Sequence, residues 1–288
     1  MSGQFVWTIG NILSWTTEYF KKHDIESPRL DAEILLSHVL KKKRIYLYTE
    51  FERILDDREL ALFKSYIQKR LEGFSPAAII GEKEFMGLDF LVNPHVLIPR
   101  PDTETWVEKV IQYHRNDSAL NVADLGTGSG AILLSFLYYA KDATGVGVDI
   151  SPEALAVAEK NGENLVATDR VEWREGDYLS AFHEGEVFDG IFSNPPYIPS
   201  DEIETLAVEV RQEPHLALDG GADGLDFYRK LIDDAHRFIK SGGFLAIELG
   251  IGQCDTVVKW IKETGFYHEP EIINDYGGIE RAIYVRKK

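Results

Sequence analysis

The spacing of apolar residues changes partway along this chain. Over residues 1–75 the apolar positions recur every three or four residues, which is typical of helices with one buried face. Ser27-Pro28 provides one helix start within this stretch, and either Asp56 or Asp57 provides another. From residue 120 onward, short apolar runs alternate with helical patterns instead. The change predicts a small helical domain followed by a larger α/β domain.

Six apolar runs in the second region have the length and the flanking residues of strands. They cover residues 121–125, 145–149, 171–176, 187–193, 244–249 and 282–286. Strands that alternate with helices usually pair in parallel and are covered on both faces. The pattern therefore predicts a doubly wound, mainly parallel, Rossmann-like sheet with helices on both sides.

A short segment between the two regions predicts a β-hairpin. We expect Ile79-Ile80 and Phe85 to face residues 90–92 across a tight turn, and Asp102 to cap the helix that follows. The predicted boundaries are a helical domain at 1–75, a hairpin linker at 76–98 and the doubly wound domain at 99–288.

Composition narrows the class of protein. The chain has 288 residues, of which 44% are hydrophobic and 27% charged, so collagen-like and wholly disordered proteins are excluded. The sequence contains no run of about eighteen apolar residues, and we expect no membrane span. A single cysteine, Cys254, excludes an internal disulfide and a zinc cage. These features together predict a cytoplasmic protein with no metal site.

The negative charge is concentrated in the second region. Residues 1–75 hold 12 Lys and Arg against 11 Asp and Glu, whereas residues 76–288 hold 19 against 37. Nucleic acids are bound largely through phosphate neutralisation by basic side chains. We therefore expect no direct nucleic-acid binding. The basic run at 41–44 is either a solvated helix end or a partner contact.

A glycine-rich turn follows the first predicted strand. Its residues are Gly126-Thr127-Gly128-Ser129-Gly130, and a helical pattern begins directly after them. Glycines at alternate positions let the backbone turn sharply and let a ligand approach it. Nineteen residues beyond Gly130, Asp149 ends the second predicted strand, where a carboxylate can accept both hydroxyls of a ribose. The pattern predicts a nucleoside cofactor here.

The fourth predicted strand ends in a polar and proline-rich string, Asn194-Pro195-Pro196-Tyr197. Its position at the carboxyl end of a strand is where open α/β sheets bind ligands. With the glycine turn, this string resembles S-adenosylmethionine-dependent methyltransferases that act on a planar, conjugated nitrogen.

Further strings narrow the resemblance to one family. They are Leu97-Ile98-Pro99-Arg100-Pro101-Asp102-Thr103-Glu104, Glu213-Pro214, Ala217-Leu218-Asp219-Gly220-Gly221, Asp223-Gly224-Leu225, Gly242-Gly243 with Glu248-Leu249-Gly250, and Asp31-Ala32-Glu33 in the first domain. Over nearly its whole length the chain is similar to the HemK-like release factor glutamine methyltransferases. The resemblance implies a seven-stranded methyltransferase sheet, and it implies methyl transfer to the glutamine side-chain nitrogen in the Gly-Gly-Gln motif of peptide chain release factors.

The resemblance also implies roles for single residues. Residues 126–130 are expected to line the methionine and adenosine of S-adenosylmethionine, Asp149 to hold its ribose, and Asp177-Tyr178 to lie beside its adenine. Asn194 is expected to neighbour the methyl donor. The family implies release factors as protein partners, recognised by the N-terminal domain.

The chemistry of a carboxamide explains why the last string has these residue types. Its nitrogen is a poor nucleophile because the lone pair is delocalised into the carbonyl. The Asn194 side-chain oxygen and the Pro195 carbonyl can each accept one amide N–H, which fixes the nitrogen for attack. The rigid ring of Pro195 holds its carbonyl outward, and Tyr197 can cover the flat amide. Pro196 is predicted to bind the substrate together with Asn194, Pro195 and Tyr197. The predicted catalytic residues are therefore Asn194, Pro195 and Tyr197.

Two other functions fit the same motifs. An adenine or guanine amino group of DNA or RNA has the same flat geometry, so an N-methyltransferase acting on nucleic acid is the alternative, although the acidic second domain argues against it. A non-catalytic nucleoside-binding protein is a third possibility. Arg100 also has two interpretations, since it either places the substrate loop or forms a structural salt bridge.

Overall fold

The computed structural model describes residues 6–166 and 168–288, and divides the chain into two compact units after Gly81. Residues 1–5, at the start of the predicted helical domain, lie outside the described residues. The division falls later than the predicted boundary at residue 75, because residues 76–80 form a helix whose Ile79 packs in the core of the first unit. The second unit is Glu82–Lys288.

The first unit is helical. Its helices are α1 (Ile9–Lys21), α2 (Pro28–Leu40), α3 (Tyr46–Thr49), α4 (Asp57–Leu71) and α5 (Pro76–Ile80). The Asp56 carboxylate accepts the backbone N–H groups of Arg58 and Glu59 at 2.9 and 2.8 Å, so it caps α4 as predicted. Ser27 precedes α2 but makes no capping hydrogen bond with its side chain. The apolar faces of these helices enclose one core that includes Phe20 and Phe63.

The second unit is built on a seven-stranded sheet, as the family resemblance implies, whereas the apolar runs alone predict six strands. Its strands and the preceding hairpin are β1 (Glu82–Phe85), β2 (Leu88–Leu91), β3 (Asn121–Leu125), β4 (Thr144–Asp149), β5 (Val171–Glu175), β6 (Phe188–Ser193), β7 (Ile239–Glu248), β8 (Glu271–Asn274) and β9 (Glu280–Arg286). The order across the sheet is β5-β4-β3-β6-β7-β9-β8. The first five strands in this order are parallel, and β9 pairs antiparallel with both β7 and β8.

Helices cover both faces of this sheet. They are α6 (Pro101–His114), α7 (Ala131–Tyr139), α8 (Pro152–Leu165), α10 (Asp226–Asp234) and α11 (Cys254–Thr264). A short helix, α9 (Val208–Arg211), has no buried residue. Alternate residues of β7 enter different cores: Phe244 packs with α6 and α7, whereas Leu245 packs with α10 and α11. The strand order reverses between β3 and β6, which is where sheets of this type open a ligand crevice.

Three local predictions were wrong. Ile79 and Ile80 are helical rather than part of the hairpin, because the Ser75 hydroxyl caps α5 by accepting the Ala78 N–H at 3.2 Å. The hairpin pairs Phe85 with Leu88 instead. The second error concerns α6, which begins at Pro101, so Asp102 lies in its first turn rather than at its cap. The third concerns β7, which begins before the predicted residue 244.

No helix among residues 6–166 and 168–288 is long and apolar enough to cross a membrane.

Candidate active site

The glycine turn after β3 has a backbone that side chains would disturb. Gly126, Gly128 and Gly130 all have positive φ angles, of 70°, 55° and 78°. A Cβ at Gly130 would lie 2.9 Å from Cδ1 of Leu134, so this glycine also lets α7 pack closely. A Cβ at Gly128 would meet nothing within 4 Å, which shows open space beside that residue.

The turn is tied to the end of the next strand. The N–H groups of Gly126 and Thr127 both donate to the Val148 carbonyl at 2.9 Å. The Gly128 N–H donates to Asp149 Oδ2 at 2.8 Å, and the Ser151 N–H donates to Asp149 Oδ1 at 3.0 Å. These bonds fix the Asp149 carboxylate at the edge of the turn. Burial raises the pKa of this carboxyl, while its backbone hydrogen bonds oppose the shift.

A second carboxylate, that of Asp124, is hydrogen-bonded to the glycine turn. Asp124 is 1% exposed, and its Oδ2 accepts the Thr127 hydroxyl at 2.7 Å. Its Oδ1 is buried without a hydrogen-bond partner among the residues described. Burial raises the pKa of Asp124 to about 7, although the Thr127 hydroxyl opposes the shift and the charge of Asp149 adds to it.

The segment after β5 forms one side of the same crevice. Asp177 and Tyr178 follow this strand, and Tyr178 has an unusual positive φ of 51°. Its ring packs edge-on against Phe227 with 4.2 Å between ring centroids, and burial raises the pKa of its hydroxyl. Asp177 lies 3.8 Å from the Lys230 ammonium.

The string after β6 lies beside the glycine turn because β6 and β3 are paired in parallel, with Ser193 opposite Leu125. The Asn194 side-chain nitrogen lies 3.4 Å from the Thr103 hydroxyl. The Tyr197 hydroxyl lies 3.4 Å from Glu248 Oε1. The backbone carbonyl of Tyr197 accepts a hydrogen bond from the Gln253 side-chain nitrogen at 2.9 Å. Burial raises the pKa of the Tyr197 hydroxyl.

Glu248, at the end of β7, is the centre of a buried hydrogen-bond network. Its Oε2 accepts the Thr103 hydroxyl at 2.6 Å and the Trp106 indole N–H at 2.8 Å. Its own carbonyl accepts the Tyr228 hydroxyl at 3.0 Å. Glu248 is 3% exposed, and burial raises the pKa of its carboxyl, while the bonds from Thr103 and Trp106 oppose the shift.

One cavity of about 570 Å³ joins most of these features. The predicted site residues that line it are Gly126, Thr127, Gly128, Ser129, Asp149, Asp177, Tyr178, Asn194 and Pro196. Gly130, Pro195 and Tyr197 do not line it. The cavity is large enough for a small organic ligand. Its position at the carboxyl ends of the strands brings the glycine turn and the proline string to the same space.

Parts of the cavity wall come from residues outside the glycine turn and the proline string, and among them only Arg100 had a role predicted from the sequence. The loop before α6 contributes His95, Leu97 and Arg100, and a later segment contributes Pro214 and Leu216. Thr103 and Glu248 stood within the quoted family strings, but neither had a chemical role assigned.

Arg100 forms the ion pair that was one of its two interpretations. Its guanidinium lies 2.7 Å from Glu213 Oε1, and Glu213 Oε2 accepts the Ile98 N–H at 3.1 Å. Burial raises the pKa of the Glu213 carboxyl, while the charge of Arg100 opposes the shift. The pair ties the loop before α6 to the segment after α9, and Arg100 also lines the cavity.

Comparisons with known proteins match both units. Residues 11–81 match the PrmC N-terminal domain, and residues 116–265 match a methyltransferase domain. A release factor glutamine methyltransferase from Geobacter sulfurreducens is 42% identical over 96% of this chain and 96% of its own length. One from Clostridium acetobutylicum is 43% identical over 88% of this chain and 89% of its own.

A solved structure supports the fold independently. The crystal structure of a methyltransferase from Pyrococcus furiosus covers 70% of this chain and 89% of its own, with a TM-score of 0.51 at 19% sequence identity. At that identity the likeness shows a shared fold.

Proposed function

The chain belongs to the family of release factor glutamine methyltransferases, and on this premise we propose its reaction in full. The enzyme transfers a methyl group from S-adenosylmethionine to the side-chain amide nitrogen of the glutamine in the Gly-Gly-Gln motif of peptide chain release factors. The observation that carries this proposal is the shared cavity, which has the glycine turn and Asp149 on one side and Asn194 on the other.

The residues around the glycine turn fit S-adenosylmethionine. The space beside Gly128 is open, and a side chain there would project from a strained backbone. Each oxygen of the Asp149 carboxylate accepts one backbone N–H, which leaves lone pairs for two ribose hydroxyls. Tyr178 presents an aromatic ring to the cavity beside Asp177, in keeping with the proposed adenine site. When bound, this cofactor supplies a methyl group activated by a sulfonium.

Asn194 and Pro195 are proposed to hold the substrate amide. The Asn194 side-chain oxygen and the Pro195 carbonyl each accept one N–H of the glutamine side chain, which orients the nitrogen lone pair. Methyl transfer forms an N–C bond and breaks an S–C bond, whose electron pair stays on sulfur. The nitrogen then releases a proton to water, so the step requires no strong general base. Tyr197, which was predicted to cover the amide, does not line the cavity, and we propose instead that it supports the turn that presents the amide.

We propose that the first unit recognises the release factor. Its support is the match of residues 11–81 to the N-terminal domain of the same family and a charge balance near neutral, unlike the acidic second unit. We place the reaction in the cytoplasm because release factors act on ribosomes there.

The test is a methylation assay with labelled S-adenosylmethionine and a purified release factor. We expect label on the peptide that contains Gly-Gly-Gln, assigned by mass spectrometry to the glutamine side chain. A release factor with alanine in place of that glutamine is the matched control and should accept no label.

Two outcomes would contradict the proposal. One is equal labelling of the alanine control, which would move the acceptor to another residue. The other is transfer to DNA or RNA included in parallel in place of the release factor, which would identify the enzyme as a nucleic-acid N-methyltransferase.

A further inference from the structure

We infer that Thr103 and Glu248 are positioning residues that set which end of the Asn194 side-chain amide faces the substrate. The inference deepens the proposed function and rests on it, because it concerns the same amide-binding residue. Thr103 and Asn194 both line the cavity, whereas Glu248 lies behind them and is nearly excluded from solvent.

The environment of Glu248 fixes the direction of its hydrogen bonds. The Trp106 indole N–H can only donate, so Oε2 of Glu248 acts as an acceptor at 2.8 Å. The Thr103 hydroxyl approaches the same oxygen at 2.6 Å, a length typical of a hydroxyl that donates to a carboxylate. The hydroxyl hydrogen of Thr103 is therefore directed at Glu248.

That direction determines what Thr103 offers to Asn194. With its hydrogen committed, the hydroxyl oxygen has only lone pairs left, and these accept a hydrogen bond. The Asn194 group at 3.4 Å from this oxygen is the side-chain nitrogen, which donates. The Asn194 side-chain oxygen is consequently turned away from Thr103 and is available as an acceptor.

The orientation matters because an asparagine amide has nearly the same shape after a half-turn. In the reversed orientation Asn194 would present N–H groups to a glutamine amide nitrogen that also carries N–H groups, and no hydrogen bond would form. The chain from Glu248 through Thr103 selects the orientation that receives a donor. In this way a carboxylate outside the cavity acts on the reaction through a neighbouring hydroxyl.

The burial of Glu248 supports a role beyond packing. Glu248 forms no ion pair with any residue in the described part of the chain, although the charge of Arg281 favours its ionised form. Buried carboxylates are unfavourable unless donors converge on them. Here two side chains of α6 donate to one oxygen, and the Tyr197 hydroxyl lies near the other. The network joins α6, β7 and the string after β6 at the position where the substrate amide is proposed to bind.

The test compares two substitutions of Thr103. Thr103→Val keeps the shape but removes the hydroxyl, and we expect kcat for release factor methylation to fall about 10-fold to 100-fold with little change in the Kd of S-adenosylmethionine. Thr103→Ser retains the hydroxyl and should restore most of kcat. Thr105→Val is the matched control, since the Thr105 hydroxyl donates only to the Asp102 carbonyl, at 2.6 Å, and kcat should be unchanged.

A double-mutant cycle separates positioning from packing. If Thr103 acts through Asn194, then Thr103→Val should lower the single-turnover rate no further in an Asn194→Ala background. For Glu248, E248Q keeps an oxygen acceptor for both donors and should retain kcat within a few-fold, whereas E248M should match the loss in Thr103→Val. Circular dichroism identifies any variant that fails to fold. If a Glu248 variant fails to fold, the comparison of Thr103→Val with Thr103→Ser tests the inference.

Two results would overturn the inference. One is a kcat for Thr103→Val equal to that of Thr105→Val, and the other is an undiminished effect of Thr103→Val in the Asn194→Ala background. In both cases wild-type enzyme still methylates the release factor, so the proposed function stands. Failure of the wild-type enzyme to label the release factor would instead remove the proposed function.

Discussion

Two parts of the candidate site, the glycine-turn end and the amide end, are held in place by different means. At the glycine-turn end, defined by residues 126–130 and Asp149, the contacts are mainly backbone N–H groups bound to residues nearby in sequence, such as Gly128 and Asp149, 21 residues apart. At the amide end, defined by residues 194–197, Thr103 and Glu248, it is side chains that join Asn194, Thr103 and Glu248 to one another. Thr103 is 91 residues from Asn194 and 145 from Glu248.

The difference has a functional consequence. A site made from backbone groups keeps its geometry when one side chain is shortened, so a substitution there should remove one ligand contact at a time. Where side chains orient one another through successive hydrogen bonds, removal of one side chain also frees the orientation of those that depend on it. We therefore expect substitutions at the glycine-turn end to weaken binding and those at the amide end to lower turnover.

The largest expected effect is that of Asn194→Ala. Removing a group that stabilises the reacting atoms typically lowers kcat by about 100-fold to 1000-fold, and we expect a loss of that order in methylation of the release factor. The Kd of S-adenosylmethionine, measured by calorimetry, should change far less. Equal losses in turnover and in cofactor binding would contradict the assignment of Asn194 to the amide end.

Asp149→Ala should have a smaller effect, and that effect should fall on cofactor binding rather than on turnover. Loss of hydrogen bonds to a charged group corresponds to about a 10-fold to 100-fold rise in the Kd of S-adenosylmethionine. At saturating cofactor, kcat should recover to near the wild-type value, because the amide end is intact. A kcat that stays low at saturation would show that the two ends are not independent.

The same contrast explains what could be predicted from sequence. The glycine turn, Asp149 and the Asn194 string could be identified because each is a contiguous pattern next to a strand, and chain order alone brings strand ends together in a parallel sheet. Glu248 and Thr103 lie within quoted family strings. Their contact depends on how α6 packs against β7, which no local pattern specifies.

Local errors also have physical causes. Ile79-Ile80 forms part of a five-residue helix, which is too short to display helical periodicity, so an apolar pair between breakers resembled a strand. The edge strand β8 was not predicted because Ile273 is its only buried residue. The fold class depended instead on the longer alternation of strands and helices, which such errors do not alter.

An expected effect on stability, rather than on activity, concerns a buried carboxyl at each end, Asp124 beside the glycine turn and Glu248 beside the amide. Burial raises the pKa of Asp124 to about 7, above its usual value of 3.8, so between these pH values the folded protein holds a proton that the unfolded chain has released. The free energy of unfolding should therefore decrease as pH rises from about 4 to about 7, by at most about 1.4 kcal/mol per pH unit from this group.

Asp124→Asn should flatten that decrease in chemical denaturation curves recorded across the pH range, because an asparagine oxygen still accepts the Thr127 hydroxyl but does not titrate. Burial raises the pKa of Glu248 as well, so E248Q should flatten the profile in the same direction. Thr103 and Trp106 donate to Glu248, and the charge of Arg281 also favours its ionised form, whereas the like charge of Asp149 disfavours ionisation of Asp124. Donors favour the ionised form, and the flattening should consequently be greater for Asp124→Asn. A larger change in E248Q would show that the amide end, rather than the glycine turn, holds the less stabilised charge.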